Sequence, residues 1–117
     1  MLKGSINSLS VDKANNEILA GTSIGNLYRI FPDDLSATLH TEGHVSAING
    51  ISFQKDNNEI FATITQNGIM RVWETEDLTI VTRGTPGVGK NIKGTCVCIA
   101  EDKTVVTGWG DGFIRCF

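Results

Sequence analysis

The chain has little of what marks most other protein classes. Two of its 117 residues are proline, two are tryptophan, one is tyrosine and three are cysteine. An odd cysteine count, with no hydrophobic leader in Met1–Ser10, leads us to expect reduced thiols and not a disulfide-stapled scaffold. No apolar run approaches the roughly 18–20 residues of a membrane span. Ten Lys and Arg against thirteen Asp and Glu leave a formal net charge of −3, so the basic face that nucleic acid requires is missing. No window carries the i, i+3, i+4, i+7 apolar spacing of a helix over a useful length. These absences lead us to expect a cytoplasmic chain that binds neither nucleic acid nor membrane.

What is present is glycine, thirteen residues of it, in a sequence that is 40% hydrophobic with a mean hydropathy of −0.02. Such a composition is that of a globular protein and too apolar for disorder. The sequence also repeats. Lys13-Ala14-Asn15-Asn16-Glu17-Ile18-Leu19-Ala20 returns 42 positions later as Lys55-Asp56-Asn57-Asn58-Glu59-Ile60-Phe61-Ala62. The same offset relates Ile6-Asn7 to Ile48-Asn49, Ser10 to Ser52, Arg29 to Arg71 and Phe31 to Trp73, and a further 44 positions relate Arg71 to Arg115 and Trp73 to Phe117. A period of about 40–45 residues excludes the shorter leucine-rich, ankyrin and tetratricopeptide units.

Each unit reads as short strands between turn residues. The first offers Ile6–Val11, Glu17–Thr22, Leu27–Phe31 and a weaker Ser36–His40; the second Ala47–Phe53, Glu59–Thr65, Ile69–Trp73 and Leu78–Thr82; the third Thr95–Ile99, Thr104–Gly108 and Phe113–Phe117. Asn15-Asn16 and Gly25-Asn26 suit the turns because they tolerate positive φ. The expected class is all-β, built as four-stranded antiparallel meanders. Cys96 and Cys98, two apart, are expected to share one strand face and to serve as small core side chains.

Gly43-His44, closing on Ile69-Met70-Arg71-Val72-Trp73, resembles the Gly-His…Trp-Asp unit of WD-repeat (WD40) β-propellers, and Gly110-Asp111-Gly112-Phe113-Ile114-Arg115-Cys116-Phe117 resembles the same turn and third strand. The resemblance covers almost the whole chain. It implies a propeller arc of about three blades, over about residues 4–40, 45–83 and 92–117, the last lacking its fourth strand. It further implies a hydrogen-bond chain through His44, Thr63 or Thr65, Asn67 and Trp73, with Thr107 and Asp111 as the third unit's counterparts. Asn67 stands where the family prefers Asp, Phe117 has no N–H to donate, and unit one has Phe31 and no matching His. The strings Ile60-Phe61-Ala62-Thr63, Met70-Arg71-Val72-Trp73 and Trp109–Phe117 are also similar to ciliary and flagellar propellers, which implies an axonemal location and tubulin or microtubule-associated proteins as partners.

Other motifs point elsewhere. Gly84-Thr85-Pro86-Gly87-Val88-Gly89-Lys90-Asn91 fits a phosphate-binding loop until Asn91 replaces the hydroxyl that holds Mg²⁺, and the β-branched Ile92–Ile99 gives no helix to follow it. His40 and His44 enclose three residues, but Cys96 and Cys98 enclose only one, short of zinc-ligand spacing, so no metal or cofactor is expected. Asp33-Asp34 and Glu74–Asp77 read as solvated turns. Arg29, Arg71 and Arg115, at one repeat position, are expected to support packing between units. The expected function is a non-enzymatic scaffold that docks proteins through Thr41–Gly43, Gln66–Gly68, Gly84–Lys90 and Gly110–Gly112, with Thr41, Glu42, Gln66, Lys90 and Asp111 as contact residues. The alternatives are an adaptor of a signalling or ubiquitin-ligase complex and, from another class, nucleotide binding through loop 84–91. At about 2.7 periods, 117 residues make less than a closed propeller, so a fragment or self-association is expected.

Overall fold

The structure is a computed structural model that describes residues 4–11, 17–33, 36–41, 46–54, 59–75, 79–85, 92–100 and 102–117, the side chains of residues 40 and 41 aside. It contains three antiparallel sheets in chain order. The first holds β1 (Ile6–Val11), β2 (Ile18–Thr22), β3 (Leu27–Phe31) and β4 (Ser36–Thr41). The second holds β5 (Ile48–Phe53), β6 (Ile60–Thr65), β7 (Met70–Glu74) and β8 (Ile80–Gly84), and the third β9 (Gly94–Ile99), β10 (Val105–Trp109) and β11 (Ile114–Cys116). Within each sheet the strands pair in sequence order, β1-β2-β3-β4, β5-β6-β7-β8 and β9-β10-β11. The sequence-read strands are all found, with ends shifted by two residues at most. Among the described residues no helix is long and apolar enough to cross a membrane.

Two apolar clusters lie between the sheets. Leu19 and Leu27 of the first sheet meet Ile48, Phe61 and Trp73 of the second, with Ile51 and Phe53 packed alongside. Phe61 stacks on Trp73 with ring centroids 6.0 Å apart and planes 4° from parallel. Ala62, Met70 and Val72 of the second sheet then meet Ile99 and Val105 of the third. The second sheet is therefore covered on both faces, which explains why β6 reads as buried from Phe61 to Thr65 rather than alternating. Burying each large aliphatic or aromatic side chain contributes about 1.5–3 kcal/mol, so these clusters hold the sheets against one another.

The hydrogen-bonded register corrects the equivalence suggested by the repeated strings. In each sheet the turn after the second strand has one form. The residue that opens it (Thr22, Thr65 or Trp109) accepts from the N–H of Gly25, Gly68 or Gly112 at 3.2, 3.1 and 3.1 Å. Its own N–H donates to the carbonyl of Asn26, Ile69 or Phe113 at 3.0, 3.0 and 3.1 Å. Glycine is required at the third place because its φ is +89, +88 and +85° in the three turns. A β-bulge recurs too, between Ile6 and Ser8, between Ile48 and Gly50, and opposite Gly108-Trp109. The first and second sheets thus correspond at an offset of 42 in β1 and β5 but 43 from β2 onward. Arg71 and Arg115 share a position with Tyr28, not with Arg29, and Trp73 corresponds to Ile30, not to Phe31.

Side-chain period two then assigns each residue a face. On the front, towards the next sheet, stand Leu19 and Ala62, Leu27 and Met70, and Arg29 and Val72. On the back stand Ile48, Ile51 and Phe53 of β5, and Val97 and Ile99 of β9.

Candidate functional site

Trp73, 2% exposed at the back of β7, donates its indole Nε1–H to Thr63 Oγ1 at 3.0 Å across the β6–β7 pair. A buried indole without an acceptor would be costly, and the hydroxyl two residues before the turn supplies one. Thr65 has a different job. Its Oγ1 accepts from Ile69 N–H at 3.1 Å and bonds the Asn67 amide oxygen, so Thr65 and Asn67 brace the turn rather than the tryptophan. Asn67 is tied down further by its own N–H, which donates to Ser46 Oγ at 3.0 Å. His44 lies outside the described residues.

The third sheet builds a second indole site that the sequence reading missed. Trp109 sits at the end of β10, in the place of Thr65, and donates its Nε1–H to Thr107 Oγ1 at 2.6 Å. Thr107 Oγ1 donates onward to the Arg115 carbonyl at 3.0 Å. The signal was present in the sequence, since residues two apart on a strand share a face and Thr107-Gly108-Trp109 has that spacing. Asp111 lies within the turn that follows. Its Oδ1 accepts from Phe113 N–H at 3.1 Å, and its two carboxylate oxygens bind the Arg115 guanidinium at 3.2 and 2.8 Å. The guanidinium lies 5.5 Å from the ring centroids of both Trp109 and Phe113. The Arg115 hydrogen bond, above all, holds the Asp111 carboxyl below the usual carboxylate range, and Asp111 in turn raises Arg115.

The arginines serve three different ends. Arg29 crosses from the first sheet to the second, pairing with Glu17 at 2.9 Å and donating Nη2–H to the Thr75 carbonyl at 2.8 Å. Arg71 is 9% exposed, and burial, with Arg83 directly opposite on β8, lowers its pKa. Arg115 instead stays at the surface on Asp111.

Gln66, Asn67 and Asp111 lie in the turns after the second strands, at the end of the sheets where the next unit enters. Gln66 Oε1 accepts from Asn49 Nδ2 at 2.9 Å. Asn49 Nδ2 also reaches the Gly94 carbonyl of the third sheet at 2.8 Å. A shallow cleft of about 340 Å³ lined by Ile92, Lys93, Gly110 and Asp111 adjoins this end. A second cavity, of about 390 Å³, lies between the second and third sheets, walled by Met70, Val72, Val105 and Phe117 with Arg83 and Lys103. Glu42, Lys90 and the loop residues 86–91 lie outside the described residues, and of Thr41 only the backbone is described. Cys96, Cys98 and Cys116 are free and exposed, which corrects the expectation of core cysteines. Strand β9 does turn Val97 and Ile99 into the core, and the cysteines take the alternate positions on the other face. No group of three or more His, Cys, Asp or Glu able to hold a metal occurs among the described residues.

Sequential four-stranded meanders, packed face to face with one recurring turn and bulge, define an all-β, WD40-type propeller arc of three blades, the third with three strands. The solved β-propeller domain of Myceliophteria thermophila Cps50 (Swd1) is similar in fold, with a TM-score of 0.84 at 8% sequence identity. The match covers 99% of this chain and 36% of that one, so the chain spans about a third of its structural neighbour. No family model matches the sequence, and no curated protein matches it.

Proposed function

We propose that the chain is a non-enzymatic WD-repeat scaffold whose docking surface is the end of the arc that carries the turns after the second strands. The observation behind this reading is the bracing of those turns. Polar side chains are offered there from backbone that Thr65, Asn67, Ser46 and Asp111 fix by side-chain hydrogen bonds. A pre-ordered surface loses less entropy when a partner binds. The contact residues we assign are Gln66 and Asp111, with Thr41 at the end of β4 and, outside the described residues, Glu42 and Lys90, and we assign His44 to the network of Thr63 and Trp73. Residues 1–117 form a partial propeller, with blades at about 4–40, 45–83 and 92–117. The narrower reading is a role of the cilia- and flagella-associated protein 52 type, on axonemal microtubules with tubulin or microtubule-associated proteins as partners. Its support is the similarity of Ile60–Thr63, Met70–Trp73 and Trp109–Phe117 to that kind of propeller.

Co-sedimentation with doublet microtubules tests the narrower reading. The chain should pellet with doublets, and a Gln66→Ala/Asp111→Ala variant should pellet less. Consistent failure of the chain to pellet would remove the axonemal assignment. Equal pelleting of the variant would move the docking surface elsewhere.

A further inference from the structure

The two junctions between neighbouring blades place different residues at equivalent positions. At the first, the stacked Phe61 and Trp73 of blade 2 meet Leu19 and Leu27, and Arg29 of blade 1 pairs with Glu17. At the second, the register set by the turns puts Val105 in the place of Phe61 and Phe117 in that of Trp73. On the facing sheet it puts Val72 in the place of Arg29 and Ile60 in that of Glu17. Ring and guanidinium volume is lost on both sides, and an ion pair gives way to two aliphatic side chains. Phe117 does not refill the space, because its ring is seated on β8: a Cβ on Gly84 would lie 2.7 Å from Phe117 Cε1. The cavity of about 390 Å³ between the second and third sheets is what these exchanges leave. The fourth strand of blade 2, β8, contributes no residue to the cluster at the first junction, so the space follows from the facing residues themselves.

The cavity is apolar at its inner end and cationic at its outer one. Met70, Val72 and Val105 are 0, 4 and 4% exposed, whereas Arg83 and Lys103 are exposed. No Asp or Glu is among the described residues that line it. Lys103 is held there against its own preference. Its φ is +69°, and among the described residues it is the only one other than glycine with a positive φ. The turn fixes this conformation: Lys103 N–H donates to the Ala100 carbonyl at 3.0 Å, and Asp102 Oδ1 accepts from Thr104 N–H at 3.0 Å. Glycine would adopt it freely, so a lysine at this place gives up stability for its side chain.

We propose that this cavity binds a small amphiphile, an apolar body that ends in a carboxylate. At a liquid-water share of about 30 Å³ per group, the space takes roughly a dozen heavy atoms. Apolar pockets with a few placed polar groups are the usual form of a small-molecule site. The apolar body packs between Met70, Val72 and Val105, and the carboxylate meets Arg83 and Lys103. None of these residues belongs to the turns proposed to dock proteins, so the site stands apart from the scaffold reading.

Decanoate, below its micellar concentration, is the probe, with 1-decanol as its uncharged counterpart and the full chain as receptor. Calorimetric titration should show one site that prefers decanoate to decanol. NMR should show intermolecular NOEs from decanoate to the methyl groups of Met70, Val72 and Val105. Val105→Phe, which restores the ring of Phe61, should abolish binding without lowering the melting temperature. Lys103→Gly should melt no lower than the wild type, because glycine accepts the turn, yet bind decanoate several-fold more weakly and decanol equally well. Arg83→Gln should act on decanoate in the same sense. These two changes lie on the surface, so the test holds even where Val105→Phe does not fold. Absence of the NOEs overturns the proposal, as does decanoate binding that survives Val105→Phe. Equal decanoate affinity in wild type, Lys103→Gly and Arg83→Gln overturns it too, since the carboxylate would then meet neither cation.

Discussion

Thr63 and Thr107 occupy the same place on the second strands of blades 2 and 3, and each accepts an indole N–H from a different direction. Trp73 reaches Thr63 from the neighbouring strand, while Trp109 reaches Thr107 from two residues along its own. Threonine suits both arrangements because its hydroxyl accepts while its β-branched body fits a strand. Thr63→Val keeps the shape and removes the acceptor of a 2% exposed side chain, so we expect a loss of about 1–3 kcal/mol in urea unfolding. Thr63→Val combined with Trp73→Phe should lose less than the sum of the single changes, because the orphaned donor is then gone as well. The hydroxyl was legible in the sequence and the second indole was overlooked, because a motif anchored on the third strand directs attention to Phe117. Asp111 invites a pH experiment. Its folded pKa is depressed, so its contribution is present above the unfolded value, about 3.9, and is lost as pH falls through the folded one. The stability difference between wild type and Asp111→Asn should therefore shrink as the solution is acidified below that value, and carboxyl NMR should show Asp111 titrating below a free aspartate. Because the pair is exposed, added salt should weaken the effect.

At the scale of the element, the glycine turns separate conformational strain from collision. Gly68 and Gly112 have nearly the same φ, +88 and +85°, but a Cβ on Gly68 would strike the Ile92 carbonyl and one on Gly112 would meet nothing within 4 Å. Gly112→Ala should therefore cost about 1–2 kcal/mol, the left-handed penalty alone. Gly68→Ala should cost more, because the strand entering blade 3 must also move; thermal unfolding of both variants checks the order. Strands and turns were legible because β-branched runs and glycines mark them directly. Register was not. The string Lys13–Ala20 and its copy align Leu19 with Phe61, yet the turns align Leu19 with Ala62. A shift of one residue reverses the face, so Leu19 and Phe61 are not counterparts but opposite walls of one cluster. The last ladder pair of β1 and β2, Val11 with Ile18, encloses one residue fewer than its counterpart, Phe53 with Phe61, and no local propensity reports that difference. The exposed cysteines have a similar origin. Alternation along β9 was readable, but which of its two faces is covered depends on what lies beside blade 3.

Across the whole molecule, stability should follow the number of covered faces. In a linear array of repeats each unit contacts only its neighbours, so the free energy divides into unit and junction terms. Blade 2 has two junctions, and β6 runs through it with Phe61, Ala62 and Ile64 at 0% exposure. Blade 3 has one junction, and β11, an edge strand of three residues, carries Ile114 at 75% exposure. Local opening should therefore begin at β11, because the protection of an amide reports the contacts that must break to free it. In hydrogen exchange of the chain, we expect amides of β6 to exchange last, at the rate of global unfolding, and the β10–β11 pair to exchange well before them. Exchange that is uniform across the three blades would mean that the blades unfold as one unit, and would remove the junction-by-junction account of the fold.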